Sequence, residues 1–423
     1  MKPAQSKGSR AGRVAISRSN PQVPAFESFE RRFSKHLSLY GTASSSADQK
    51  TRALARAALA RLKKNPSLRV LAGPDGPVLY EDPLLDSAWT CMELAQRGGF
   101  GFAAEGDDLD DHWYHWLSLG TALLRARFKR NWDVLKNSTP SKDVNLKLPA
   151  RIAIFGDAGY RGLAQRRVLE MIAQRHKKAS FDAVIHLGDT YHGGNESEMF
   201  HHLVAPLRDL ATKFDLKVYS LCGNHDLYAG PDGYLDTLKA FGQPGRFFAL
   251  EMPSWRLACL DSTLGDTSRL YMNGKLDAGQ LGWLQNKQKQ NKRLVVLSHH
   301  LPRSAWDAAR GPLLGQIGKI PGLVAWYWGH EHRCAAYGSR KGANFLGGCV
   351  GNGAFLEKWT CPTSASAEKL EWYPSGARCT CFGEQGKRKW PHGFLELELR
   401  EDGGTERFHV ENAEGPSFTR NLT

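Results

Sequence analysis

The sequence predicts an α/β layered domain over residues 149–423, preceded by a helical region and a basic arm. Three observations carry this. From Pro149 onward, short apolar and β-branched runs alternate with helical or loop stretches. Upstream of Pro149 the apolar spacing is helical. Five of the strand-like runs end in turns that carry Asp, Asn or His, and α/β sheets gather functional residues at the carboxyl ends of their strands.

In order along the chain, residues 1–25 contain Lys2, Lys7, Arg10, Arg13 and Arg18, no acid, and no apolar block of the kind a secretory signal needs. They read as a disordered basic arm, with an organelle transit peptide as the alternative. Residues 26–148 form a helical N-terminal region of unassigned role. Gln49 to Lys64 is rich in Ala, Leu and Arg, lacks Gly and Pro, and stops before Asn65-Pro66, so it predicts a helix. A Gly/Pro turn at Gly73 to Pro77 and a shorter helix around Pro83 to Gln96 follow. From Asp108 to Trp132, residues Trp113, Trp116, Leu117, Leu124 and Phe128 keep one apolar face, with acids at the start and bases at the end as the helix dipole favours. His112 and His115 belong to its solvated first turn. The polar stretch 137–149 reads as a linker.

Beyond the linker, strands are expected at Arg151 to Phe155, Ala183 to Leu187, Val218 to Leu221, Leu257 to Leu260, Leu294 to Leu297 and Ala325 to Trp328. Later strands are expected at Asn344 to Val350, Phe394 to Leu399 and Glu406 to Val410. A long surface insertion, polar and rich in Gly and Ser, is expected around 360–392.

Composition narrows the function classes. The 423 residues are 41% hydrophobic and 24% charged, which excludes a wholly disordered chain. The longest apolar runs fall far short of the ~20 residues needed to span a bilayer, so no membrane span is expected. The eight cysteines are few, and Cys91, Cys222, Cys259, Cys334 and Cys349 are scattered among apolar neighbours, as buried thiols in a reducing compartment would be, so cytoplasmic location is expected. Cys361, Cys379 and Cys381 lack the paired spacing of a zinc site. The net charge of +14 favours anionic partners, and it is spread out: residues 1–148 hold 23 Lys and Arg against 15 Asp and Glu.

The five strand ends read Gly156-Asp157-Ala158-Gly159, Gly188-Asp189-Thr190-Tyr191-His192, Gly223-Asn224-His225-Asp226, Ser298-His299-His300 and Gly329-His330-Glu331-His332. Each alone is an ordinary turn or cap. Together they offer a hard or borderline ligand at every strand end, nearly always after a Gly that permits tight backbone passage.

This order of motifs resembles the calcineurin-like metallophosphoesterase superfamily, closest to its purple acid phosphatase-type variant. The resemblance covers residues 156–332. It implies a two-sheet αββα sandwich and a centre of two metal ions bridged by Asp189. One ion would take Asp157, Asp189 and His332; the other would take Asp189, Asn224, His299 and His330. This mixed oxygen and nitrogen set suits Mn, Fe or Zn. Relatives commonly place His where Gly159 stands, and the purple branch places Tyr where His192 stands. His192 is therefore assigned the lost position, with Tyr191 or no side chain as the alternative. The VxxH pattern puts His299 on the metal and His300 behind it.

The resemblance further implies hydrolysis of a phosphomonoester or phosphodiester by metal-bound hydroxide, with His225 serving the leaving group and Asp226 orienting His225. The partner expected is a phosphorylated substrate. A nuclease using the same ions is less favoured, because no basic and aromatic strip accompanies the charge. A non-catalytic scaffold whose helical N-terminal region binds a protein partner is the third reading.

Overall fold

The computed structural model describes the backbone at 70–72 and 78–80, and residues 131–140, 142–159, 163–191, 193–307, 312–354, 362–374 and 390–422. The arm, the helices expected at 49–64 and 83–96, all but the last residues of that at 108–132, and Cys361, Cys379 and Cys381 lie outside them. The chain divides into two units, Met1–Gly101 and Phe102–Thr423. In the first, β1 (Val70–Ala72) pairs antiparallel with β2 (Val78–Tyr80).

Among the described residues of the second unit, the first elements are α1 (Trp132–Lys136) and β3 (Val144–Asn145). Then come β4 (Ala150–Phe155), α2 (Leu163–Lys178), β5 (Ala183–His186), a π-helical turn at Met199–Val204 that runs into α3 (Ala205–Phe214), and β6 (Lys217–Ser220). After α4 (Asp232–Phe241) the chain forms β7 (Phe248–Glu251), β8 (Trp255–Cys259), α5 (Ala278–Gln288), β9 (Arg293–Ser298), α6 (Leu313–Ile317) and β10 (Leu323–Trp328). It closes with β11 (Cys334–Tyr337), β12 (Leu346–Val350), β13 (Leu370–Trp372), β14 (Gly393–Arg400), β15 (Gly403–Val410) and β16 (Phe418–Leu422).

Two sheets result. One has the order β16-β15-β14-β4-β5-β6 and the other β13-β11-β12-β10-β9-β8-β7-β3. The strands that bear motifs pair in parallel: β4 with β5, β5 with β6, and β9 with β10. Alternation along each strand feeds two apolar layers, as the two-residue period of a strand requires. Ile152 and Ile154 of β4 and Val295 and Leu297 of β9 join the core between the sheets. Ala153 and Phe155 face outward beneath Val168 and Ile172 of α2, and Leu294 and Val296 pack with Leu284 of α5 and Leu313 of α6. The architecture is thus helix, sheet, sheet, helix.

Two expectations about the flanks change. The stretch read as a linker contributes β3, whose Val144 and Asn145 pair with Leu250 and Glu251 of β7. The insertion contains β13, an edge strand beside β11. Among the described residues, no helix is long and apolar enough to cross a membrane.

Candidate metal centre

The segments that follow β4, β5, β6, β9 and β10 meet at one end of the sandwich. Asp157, Asp189 and His330 all adopt positive φ, at 56°, 73° and 64°. Such a backbone costs about 1–3 kcal/mol for a residue with a Cβ and persists where surrounding contacts enforce it. Here Asp157 Oδ2 accepts the His330 backbone N–H at 2.9 Å, and Asp189 Oδ1 accepts that of His225 at 3.0 Å.

Two donor sets share Asp189. Its Oδ1 lies 3.4 Å from His299 Nε2. Asn224 Oδ1 is 2.9 Å from that same nitrogen and 3.0 Å from His330 Nδ1, and the two imidazole nitrogens are 3.2 Å apart. On the other side, His332 Nε2 is 3.5 Å from Asp157 Oδ1. The Tyr191 hydroxyl lies 3.1 Å from Asp189 Oδ2, 3.2 Å from Asp157 Oδ1 and 2.9 Å from His332 Nε2. The structure therefore brings Asp157, Asp189, Asn224, His299, His330 and His332 together, and adds Tyr191. His192 lies outside the described residues.

The supporting contacts select which atom of each side chain faces inward. His299 donates from Nδ1 to the Leu187 carbonyl at 3.0 Å, which leaves Nε2 for the site. Asn224 donates its amide to Tyr228 Oη at 2.5 Å, which turns Oδ1 toward the histidines. His300 is nearby, but its nitrogens face Ser262 Oγ at 2.8 Å and the Tyr271 carbonyl at 2.6 Å. His300 also groups with His299 and His330 within 4.8 Å, but both of its nitrogens have these other partners.

The expected service of Asp226 to the His225 ring is corrected. Asp226 is fully buried, and its carboxylate accepts backbone N–H groups from Gly223 at 2.7 Å, Thr190 at 2.8 Å and Asp189 at 3.0 Å. It braces two motif turns against each other. Successive residues of the short 3-10 turn His225–Leu227 point to different sides, so adjacency in sequence does not give adjacency of these two groups. His225 is half-buried between the rings of Tyr191 and Tyr228, at centroid distances of 4.6 and 4.7 Å.

Three features fit this pocket to metal ions. The donors are carboxylate, amide and imidazole, and the grouping of Asp157, Asp189 and His332 holds within 4.8 Å. Burial holds His330 down to about 3 and His299 well below the ordinary histidine range, so both rings are neutral, as a ligand must be. Burial, then the charge of Asp189, pushes the Asp157 carboxyl well up, the response of a buried acid whose nearest charge is another acid. Glycines also crowd the carboxylates: a Cβ at Gly223 would lie 2.2 Å from Asp189 Oδ1, and one at Gly329 2.5 Å from Asp157 Oδ2.

Residues 150–334 match the family model of the calcineurin-like phosphoesterases. This part of the chain is a calcineurin-like phosphoesterase domain. The matched model does not single out the purple acid phosphatase branch. Similar solved structures include GAP50, the anchor in the inner membrane complex of Plasmodium, at 12% identity and TM-score 0.46 over 65% of this chain and 88% of that one. A dimetal phosphatase from Danio rerio is 15% identical at TM-score 0.44, over 65% and 99%. The calcineurin-like phosphoesterase YfkN from Bacillus subtilis is 11% identical at TM-score 0.32, over 64% and 89%. No curated protein matches the chain.

The site also uses residues beyond the matched segment. After β12, Gly353 and Ala354 donate to the carbonyls of Gly156 and Asp157, each at 3.1 Å, and a Cβ at Gly351 would lie 2.8 Å from Asp157 Oδ2. Sequence reading missed this wall. Its one signal is Gly351-Asn352-Gly353 directly after a buried strand.

Proposed function

We propose that this domain hydrolyses a phosphomonoester or phosphodiester with a pair of metal ions, Mn, Fe or Zn, held by the two donor sets. The single observation that supports it is the division of one carboxylate: Asp189 turns Oδ1 to His299, which adjoins Asn224 and His330, and Oδ2 to Tyr191, which adjoins Asp157 and His332. When bound, such a pair acidifies water at neutral pH and polarises phosphoryl oxygens.

The chain's own residues do the rest. Asp157, Asp189 and His332 hold one ion; Asp189, Asn224, His299 and His330 hold the other. Leu187, Tyr228 and Asp226 fix these groups before substrate arrives, which is what electrostatic preorganisation requires. His225 stands half-buried beside the donor sets and gives a proton to the leaving oxygen. The substrate is a phosphorylated molecule, in keeping with the net charge of +14. The described cysteines, Cys222, Cys259, Cys334 and Cys349, are buried and unbridged, which supports a reducing, cytoplasmic setting.

The test is a panel of chromogenic mono- and diesters assayed with added Mn, Zn or Fe beside an Asp189→Ala control. Metal-dependent turnover that disappears in the control supports the reading. Absence of turnover with about two ions bound per chain overturns it in favour of a scaffold.

A further inference from the structure

The second donor set has four side chains, whereas the assigned first set has three, and the residue that relatives use to complete it is Gly159 here. We infer that the phenol oxygen of Tyr191 is the fourth protein ligand of the ion held by Asp157, Asp189 and His332, and that Gly159 is glycine because this arrangement needs it. The inference rests on the metal centre proposed above.

The first argument is geometric. Four of the six separations among Tyr191 Oη, Asp157 Oδ1, Asp189 Oδ2 and His332 Nε2 run from 2.9 to 3.5 Å, and the Asp157, Asp189 and His332 donors lie within 4.8 Å of one another. Separations of this size suit a coordination shell, since a tetrahedron with edges of ~3.3 Å has its centre ~2.0 Å from each corner, a usual metal to oxygen or nitrogen distance. Two carboxylate oxygens, an imidazole nitrogen and a phenol oxygen, all of them atoms that ligate metals, thus converge on one point.

The second argument ties Tyr191 to Gly159. Gly159 and Thr190 form an isolated parallel bridge, in which Gly159 N–H donates to the Asp189 carbonyl at 3.1 Å and Tyr191 N–H donates to the Gly159 carbonyl at 2.8 Å. A Cβ at 159 would lie 2.5 Å from Thr190 Cα and 2.6 Å from the Asp189 oxygen, so a side chain there would break the bridge. With the bridge in place the Tyr191 side chain emerges on the side of the Asp189 carboxylate, its hydroxyl 3.1 Å from Oδ2. His202 on the π-helical turn pins the result by donating from Nδ1 to the Tyr191 carbonyl at 2.9 Å, and Gln165 ties His202 to Ala158. Losing a side chain at 159 and gaining one from 191 are one structural change.

The test loads the full-length protein with iron in air and records metal content and the visible spectrum. A phenolate on ferric iron gives a charge-transfer colour that carboxylate and imidazole do not, and its proton leaves to solvent as the ion binds. Wild type is expected to be coloured and to retain about two ions per chain after dialysis. Tyr191→Phe is expected to be colourless and to retain about one. Tyr191→His is expected to be colourless yet retain about two, which separates ligand loss from misfolding. Gly159→Ala is expected to weaken the colour although it removes no donor. Colour that survives in Tyr191→Phe, colour lost in His192→Ala with Tyr191→Phe unchanged, or a colourless iron-loaded wild type overturns the inference while leaving the metal centre standing. A wild type that binds no ion overturns both.

Discussion

Asp226 accepts the backbone N–H of Asp189 at 3.0 Å, so the residue that serves both donor sets is itself held by a neighbouring carboxylate. Removing that carboxylate orphans the N–H groups of Gly223, Asp189 and Thr190 inside the protein. Each buried, unsatisfied donor costs about 1–3 kcal/mol. Asp226→Ala is expected to lower unfolding stability by about 3 kcal/mol or more and to lose metal along with activity. Denaturant titration and elemental analysis check this; full metal retention at unchanged stability contradicts it.

His225 predicts the opposite pattern. Its ring lies between Tyr191 and Tyr228, and its backbone N–H donates to Asp189. His225→Ala is expected to keep both ions and to lose about 10²-fold or more in kcat on substrates with poor leaving groups. The loss shrinks for nitrophenolate, which departs without a proton. An equal loss on both substrate types contradicts the assignment.

The paired histidines are separable by metal content. His299 faces the site with Nε2, whereas His300 spends its nitrogens on Ser262 and Tyr271. His299→Ala is expected to release about one ion of about two. His300→Ala is expected to retain both while melting at lower temperature, because a buried cavity replaces the ring. Metal loss in His300→Ala alone would exchange their roles.

Acid sensitivity should centre on Glu396. Burial alone would raise this carboxyl, but hydrogen bonds from His409 and Arg175 and the charges of Arg151 and Arg175 outweigh it and hold the group well below the ordinary Glu range. A folded pKa below the unfolded value of about 4.3 stabilises the native state above that pH and ceases to do so as the pH falls toward the folded value. The stability difference between wild type and Glu396→Gln is therefore expected to be largest near pH 6 and to shrink below pH ~4. Urea titrations at a series of pH values measure it, and a constant difference refutes it.

Much of this architecture was legible because the central strands are buried on both faces and read as unbroken apolar runs, as in Ile152 to Phe155 and Leu294 to Leu297. The edge strands β3 and β13 were not, since their partners are set by distant pairing rather than by local pattern. In the site, Gly-Asp and His-x-His turns were visible as strand ends. Asp226 was misjudged because adjacency suggested a partnership that a tight turn forbids. Tyr191 ranked behind His192 in the sequence because the bridge between Gly159 and Thr190, beside which residue 191 emerges, has no sequence signature of its own.

The donor atoms come from both walls of the sandwich: Asp157, Asp189 and Asn224 follow strands of one sheet, and His299, His330 and His332 follow strands of the other. An ion gripped in this way would act as a rivet at this end; elsewhere the two plates adhere through apolar contact and through polar links such as Trp255 to the Arg400 carbonyl and Arg420 to Glu371. Stripping it would loosen that end of the molecule first, so resistance to proteolysis near the mouth should rise and fall with occupancy.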